Sequence, residues 1–206
     1  MGTDFASTDA AFGFQPYGPV LRANLYAVPT APTVYIFHND IVLHGSSMVS
    51  TPQGYLPIIE DGSVPDGDAF ILGSVLEVFD ENMEPQLYIT IGEVGNSTIA
   101  GYVLVADHPD QLYIAQEDGE GNAIDLTEAG FNCDLISGTF CAGNTYTGCG
   151  KMELDSDSAA QTAALQFKLI KPHEDDTPAD DTNHYARWIV QVNEHFFHDV
   201  VGLGTA

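Results

Sequence analysis

The stretch Gly101-Tyr-Val-Leu-Val-Ala-Asp-His-Pro-Asp-Gln-Leu-Tyr-Ile-Ala-Gln116 decides the fold. Two runs rich in Val, Leu, Ile and Tyr flank the polar break Asp107-His108-Pro109-Asp110. β-Branched and aromatic side chains suit a pleated, half-buried surface, whereas Asp and Pro suit a turn. Pro109 fixes its own φ and pushes His108 away from helical geometry. The reading is two strands joined by a hairpin or a tight corner. In the first run Tyr102, Leu104 and Ala106 share one face, and Val103 and Val105 share the other. A strand apolar on both faces is covered on both, by a barrel interior, a loop or another subunit. A central core strand is the expectation.

Working outward, short strands recur between Gly- and Pro-bearing turns. Val34–Phe37 and Asp40–His44 are two such pieces, and Gly54–Ile59 is a third, whose Pro57 points to a sheet edge. Ala69–Phe79 is a long apolar strand in which Gly73 marks a bulge, and Gln86–Ile91 is a further strand. Ala163–Lys171 and Tyr185–His195 read as the last two, with Trp188, Val190 and Val192 on one buried face. Helix signals are few: Asp125–Gly130 is one capped turn and Ser156–Gln161 another. The sum is an all-β, mainly antiparallel fold, a β-barrel or β-sandwich with one or two short helical turns.

Residues 1–32 read as an extended N-terminal arm, ahead of a single β-rich domain over 33–206. Pro16, Pro19, Pro29 and Pro32 forbid a long helix there. Phe5, Phe12, Phe14 and Tyr17 are costly to leave in water, so the arm either folds back along its own domain or docks on a neighbour. Those four rings are the candidate partner-binding residues.

Tyr102–Asp110, followed by Gln116-Glu-Asp-Gly119, resembles a segment of virion structural proteins of tailed phages, of the small β-rich type that decorates or cements the capsid. Lys151–Ser156 with Ala163–Lys168, and then Ala186–His195, resemble later blocks of the same proteins. The resemblance covers about the C-terminal half, is a pattern of strands, and transfers no catalytic residue. It implies a non-enzymatic subunit on the capsid exterior, made in the host cytoplasm, with the major capsid protein and further copies of itself as partners. The alternative, from another class, is a carbohydrate-active or carbohydrate-binding β-sandwich module.

Charge narrows the partners. Five Lys plus Arg face 30 Asp plus Glu, a formal net charge of −25, and no Lys or Arg falls between Arg22 and Lys151. Nucleic-acid affinity comes largely from cationic side chains that release counterions, so no nucleic-acid partner is expected. An anionic membrane is disfavoured for the same reason, and no apolar run reaches bilayer length. The first residues lack the basic and apolar regions of a secretory signal.

Motifs with chemistry are scarce. Glu117–Glu128 invites an EF-hand reading that its spacing refuses: starting at Asp118 puts Ala123 where Gly belongs and Ala129 where Glu belongs. Cys133, Cys141 and Cys149 lack the close pairing of a zinc site, and reduced thiols are expected. His195 and His198 fall on opposite sides of a strand, and His38 and His44 read as hydrogen-bonding residues. The acidic run Glu174–Asp181 reads as a solvated loop. No GxSxG, HExxH, GxxxxGK[ST] or GxGxxG occurs, so no catalytic residue, metal or cofactor is expected.

Overall fold

The computed structural model describes residues 9–60, 70–93, 98–136, 143–174 and 185–198. The strands are β1 (Gln15–Tyr17), β2 (Ala23–Pro29), β3 (Ile36–Phe37), β4 (Ile41–Thr51), β5 (Gly54–Glu60), β6 (Ile71–Asp80), β7 (Pro85–Gln86) and β8 (Tyr88–Ile89), followed by β9 (Ile99–Ala106), β10 (Leu112–Gln116), β11 (Asn132–Cys133), β12 (Gly143–Asn144), β13 (Cys149–Gly150), β14 (Phe167–Pro172) and β15 (Arg187–Val192). The pairs are antiparallel except β2 with β5. The all-β reading holds.

Two layers share the work. In the first, the order β4-β5-β2-β9-β6 is closed by a further pairing of β4 with β6, which makes a five-stranded barrel with β7 attached to β6. Closure leaves these strands no free edge. Tyr26, Val28, Val42, Ile59, Leu72, Val75, Val78, Val103 and Val105 form one buried cluster, joined by Ile36 and Ile89 of the small β3–β8 sheet. The second layer is a five-stranded sheet in the order β1-β10-β15-β14-β11. Its inward residues, among them Tyr113, Trp188, Val190, Val192, Phe167 and Leu169, pack with Ile41, Leu43, Ile71 and Ala106 of the barrel strands. Ile41 and Leu43 alternate with Val42, so the sheet lies on the outside of the β4–β6 seam.

The stretch 101–116 joins these layers. β9 lies between β2 and β6, a central strand covered on both faces as its pattern requires. Val103 and Val105 point into the barrel, while Tyr102 is buried outside it and donates a hydrogen bond from its hydroxyl to Gln53 Oε1 (2.6 Å) in the β4–β5 turn. After Ala106 the chain turns and β10 enters the other sheet. The break is therefore a corner between layers, and β9 and β10 belong to different sheets. Gly73 sits against this corner with φ +152, and a Cβ there would lie 1.9 Å from the Ala106 carbonyl oxygen. The register of β4 against β6 shifts beside it, as a bulge demands.

Three expectations need correction. The boundary at residue 32 does not exist in the sheets: β2 is an inner barrel strand and β1 is the edge of the second sheet. Pro16 is tolerated because β1 has one free side. Pro57 does not mark an edge, since β5 lies between β4 and β2; its contact with β2 is a single pair, Ala27 with Ile58, so a missing N–H breaks no ladder. Gln86–Ile91 splits into β7 and β8 in different sheets. Both helical turns form as single 3-10 turns, at Leu126–Glu128 and Ser156–Ser158. The first is held by a capping box between Asp125 and Glu128.

Candidate functional site

Four clusters carry polar chemistry, and each is anchored by a different part of the two-layer body. The first is the corner itself. Asp107 follows β9 directly and is fully buried, and the start of β2 lies alongside because Ala23 pairs with Ala106. That register brings three donors to one carboxylate. Arg22 Nε donates to Oδ1 (2.7 Å), while Asn24 Nδ2 (2.8 Å) and the Tyr26 hydroxyl (2.7 Å) donate to Oδ2. Burial raises the acid, but the bonds from Asn24, Tyr26 and Arg22 and the guanidinium charge outweigh it, so Asp107 is held below the usual carboxylate range. Burial, and then the same contact with Asp107, push the Tyr26 phenol up.

The C-terminal segment packs over this corner. Ile71 N–H donates to the Glu194 carbonyl and Phe196 N–H donates back to the Ile71 carbonyl, which fixes residues 194–196 along the start of β6. Phe196 stacks on His44 at 4.0 Å between ring centroids, and Phe197 lies under the Arg22 guanidinium at 4.8 Å. His195 is buried and its Nδ1 accepts from the Phe197 N–H (3.0 Å). Burial lowers its pKa to about 4, with the Asp107 charge opposing, so the imidazole is neutral at pH 7. His195 and His44 thus meet around Phe196 and Phe197, a contact between distant segments that local spacing does not reveal.

The second cluster sits at the far end of β10. Glu117 is fully buried, and its two oxygens accept from the backbone N–H groups of Ile124 (2.7 Å) and Ala186 (3.0 Å). Burial outweighs those bonds, and Asp118 and Glu128 add like charge, so its pKa rises to about 7. Glu153 is pushed to about 7 by burial, with Asp9 and Asp118 adding to the shift. A carboxyl with a pKa near 7 is the hallmark of a general acid or base. In Glu117 both oxygens accept from backbone N–H groups of distant segments, so this carboxyl ties residues 124 and 186 together. The refused EF-hand stretch is an acidic turn tied down internally: the Ser156 hydroxyl bridges Asp118 Oδ1 and the Glu120 carbonyl, each at 2.8 Å.

The third is a shallow groove of about 440 Å³ lined by residues 129–132 and 160–163, at the β11 edge. The fourth is the outer face of the second sheet, where Tyr17 stands. Its hydroxyl donates to Glu174 Oε1 (3.1 Å), and Lys171 Nζ binds the same oxygen.

The four candidate rings of the N-terminal segment therefore part company. Phe14 is fully buried and stacks on Phe167 at 4.6 Å, so that ring belongs to the core and is closed to a partner. Phe12 is half-buried, and its carbonyl accepts from Asn39 Nδ2. Tyr17 is likewise half-buried, with its hydroxyl on the Glu174 carboxylate. Phe5 lies outside the described residues, as do Cys141 and residues 175–184. Cys133 and Cys149 are free thiols. Among the described residues no group of three or more His, Cys, Asp or Glu is placed to hold a metal.

Fold and site together define an all-β body, a closed barrel backed by a sheet, in which the buried carboxylates Asp107 and Glu117 act as internal ties. No family model matches the chain, and neither does any curated protein or solved structure.

Proposed function

We propose that this chain is a structural subunit of a tailed-phage virion, a decoration or cement protein that binds the outer face of the head and stabilises it. Its partners on this reading are the major capsid protein and neighbouring copies of itself. The observation that carries it is spatial: the stretches whose pattern resembles such proteins are scattered in the chain but meet in one layer and its junction with the barrel. Tyr102–Ala106 runs into the corner, Gln116 pairs with Arg187, Glu117 bridges to Leu154, and Phe167 pairs with Val192. The mechanism is mass action without chemistry. A subunit that binds only the assembled shell stabilises it by RT ln(1 + [L]/Kd) at each site. The net charge of −25 favours the exterior, away from packaged nucleic acid.

A carbohydrate module has less support. Such a site needs carboxylates or open aromatic faces converging in a cleft, and the groove at 129–132 and 160–163 is lined by no carboxylate. The test is immunogold labelling of purified virions whose genome encodes the chain. Regular label on the head exterior is the expected result. A chain missing from the particle, or confined to its interior, contradicts the proposal.

A further inference from the structure

We propose that the β4–β5 hairpin is an interface for a second copy of this chain, joined edge to edge through β4. The closure that leaves the barrel ring without a free edge uses only the start of β4, since its pairing with β6 covers Ile41–Leu43. Past the register shift that follows His44, β4 and β5 run on as a two-stranded hairpin, Met48–Thr51 against Gly54–Pro57. There, among the described residues, no strand pairs with the far side of β4. The register tells which backbone groups lie along that side. Pro57 has no N–H, so its pairing with Met48 is a non-hydrogen-bonded one. The N–H and C=O of Met48 therefore point away from β5, and so do those of Ser50, two residues on.

Other open edges are blunted. β1, β7 and β11 are three residues long or shorter, and the first two carry Pro16 and Pro85. Pro57 turns its bare nitrogen to the free side of β5. Ser47–Thr51 has neither proline nor charge, and the whole of Ile41–Ile59 holds no Asp, Glu, Lys or Arg in a chain of 30 acids and five bases. The outward face of the hairpin is apolar as well: Met48 is 63% exposed and Tyr55 77%. Val49 and Leu56, on the other face, pack with Tyr102.

An unpaired backbone edge calls for an extended strand, and an uncharged edge calls for a strand without charge. The chain itself holds that strand. A two-fold axis at Val49 sets β4 antiparallel to its copy, with Met48 opposite the partner's Ser50 and Ser47 opposite the partner's Thr51. The side chains suit one another: a long thioether lies over a small hydroxyl that has Tyr55 on its other side, and two hydroxyl residues face each other. The outward backbone groups of Met48 and Ser50 then satisfy those of the copy. Pairing uses up the edge in both chains, so assembly stops at two. The hairpin is also a place where two chains of net charge −25 can touch without setting acid against acid. The contact serves the further copies that the virion reading names as partners, but it rests on the edge alone, and either can fail without the other.

The test is sedentation equilibrium of the full chain over a range of concentrations, with residue-resolved amide exchange by nuclear magnetic resonance. A monomer–dimer equilibrium is expected. It should tighten as salt rises from about 0.05 to about 0.5 M, because screening mutes the remaining acids. Dimerisation should slow exchange at the Met48 and Ser50 amides and leave Val49 and Thr51, already bonded to β5, unchanged. Ser50→Glu, at an exposed position, should weaken the dimer at least about tenfold with the melting of the monomer unaltered, and Ser50→Thr should keep it. A chain that stays monomeric at every concentration and salt would overturn the proposal. So would a dimer that survives Ser50→Glu, or one in which the Met48 and Ser50 amides exchange as fast as in the monomer.

Discussion

Asp107 and Glu117 are both sealed from solvent, yet their surroundings drive them in opposite directions. Asp107 meets a guanidinium, an amide and a phenol, and stays ionised well into acid. Glu117 meets two backbone N–H groups, no cation and the like charges of Asp118 and Glu128, and rises to about 7. Burial costs each of them the same kind of desolvation; what differs is whether a cation answers it. The comparison also shows why a perturbed carboxyl is not by itself a reactive one. Every oxygen in both is engaged by the protein, so their task is to fasten the chain at the two ends of the β10 region.

The largest expected effect falls on the junction that carries Asp107. Gly73→Ala would drive a Cβ into the Ala106 carbonyl at a φ that L residues rarely adopt. We expect a loss of more than ~4 kcal/mol, seen as insoluble or unfolded protein by circular dichroism. A soluble variant with native melting would mean that the corner yields easily.

Removing the carboxylate comes next. Asp107→Ala strands the buried Tyr26 hydroxyl and leaves Arg22 without its partner, and should cost ~3 kcal/mol in urea denaturation. Glu117→Gln keeps the shape but turns an amide N–H toward one backbone donor, so its cost should be smaller, ~1–2 kcal/mol.

pH separates the two carboxylates further. Glu117 has a folded pKa of about 7 against 4.5 for a free glutamate, so its contribution is complete below pH 4.5 and is lost as pH rises to 7, ~3 kcal/mol in all. Glu153 acts in the same direction. His195, at about 4 against 6.5, has the opposite sign: its contribution is complete above pH 6.5 and is lost as pH falls to 4. Unfolding free energy should therefore rise gently as pH falls from 7 to 4.5. Glu117→Gln should flatten that rise and His195→Asn should steepen it. An unchanged profile in both variants would place the titration elsewhere.

The smallest effect is at the surface. Tyr17→Phe removes one hydrogen bond to an exposed acid, and thermal melting should not move measurably.

Strand residues were legible because their chemistry is local. The β-branched run before Asp107, the one-sided Trp188, Val190 and Val192, and the Asp125 cap all read directly from side-chain type and period. Barrel closure was not legible, because it depends on β4 pairing on both sides and on a parallel β2–β5 contact between segments far apart. The same limit hid the clusters. Asp107 stood out in the sequence only as a turn residue, since its partners Arg22, Asn24 and Tyr26 lie more than 80 positions away. The aromatic arm misled for a related reason: Phe12 and Phe14 alternate as strand neighbours do, but the prolines around them obscured the short edge strand that follows.

The most direct measurement is a titration of the carboxyl carbons by nuclear magnetic resonance on uniformly labelled protein. Glu117 should shift near pH 7, and its signal should be lost in Glu117→Gln. Asp107 should remain ionised until below the usual aspartate range, and should move up when Arg22 is replaced by Met. Two carboxyls titrating together near ordinary values would contradict the account, because a buried acid without a cation and one clasped by Arg22 would then behave alike.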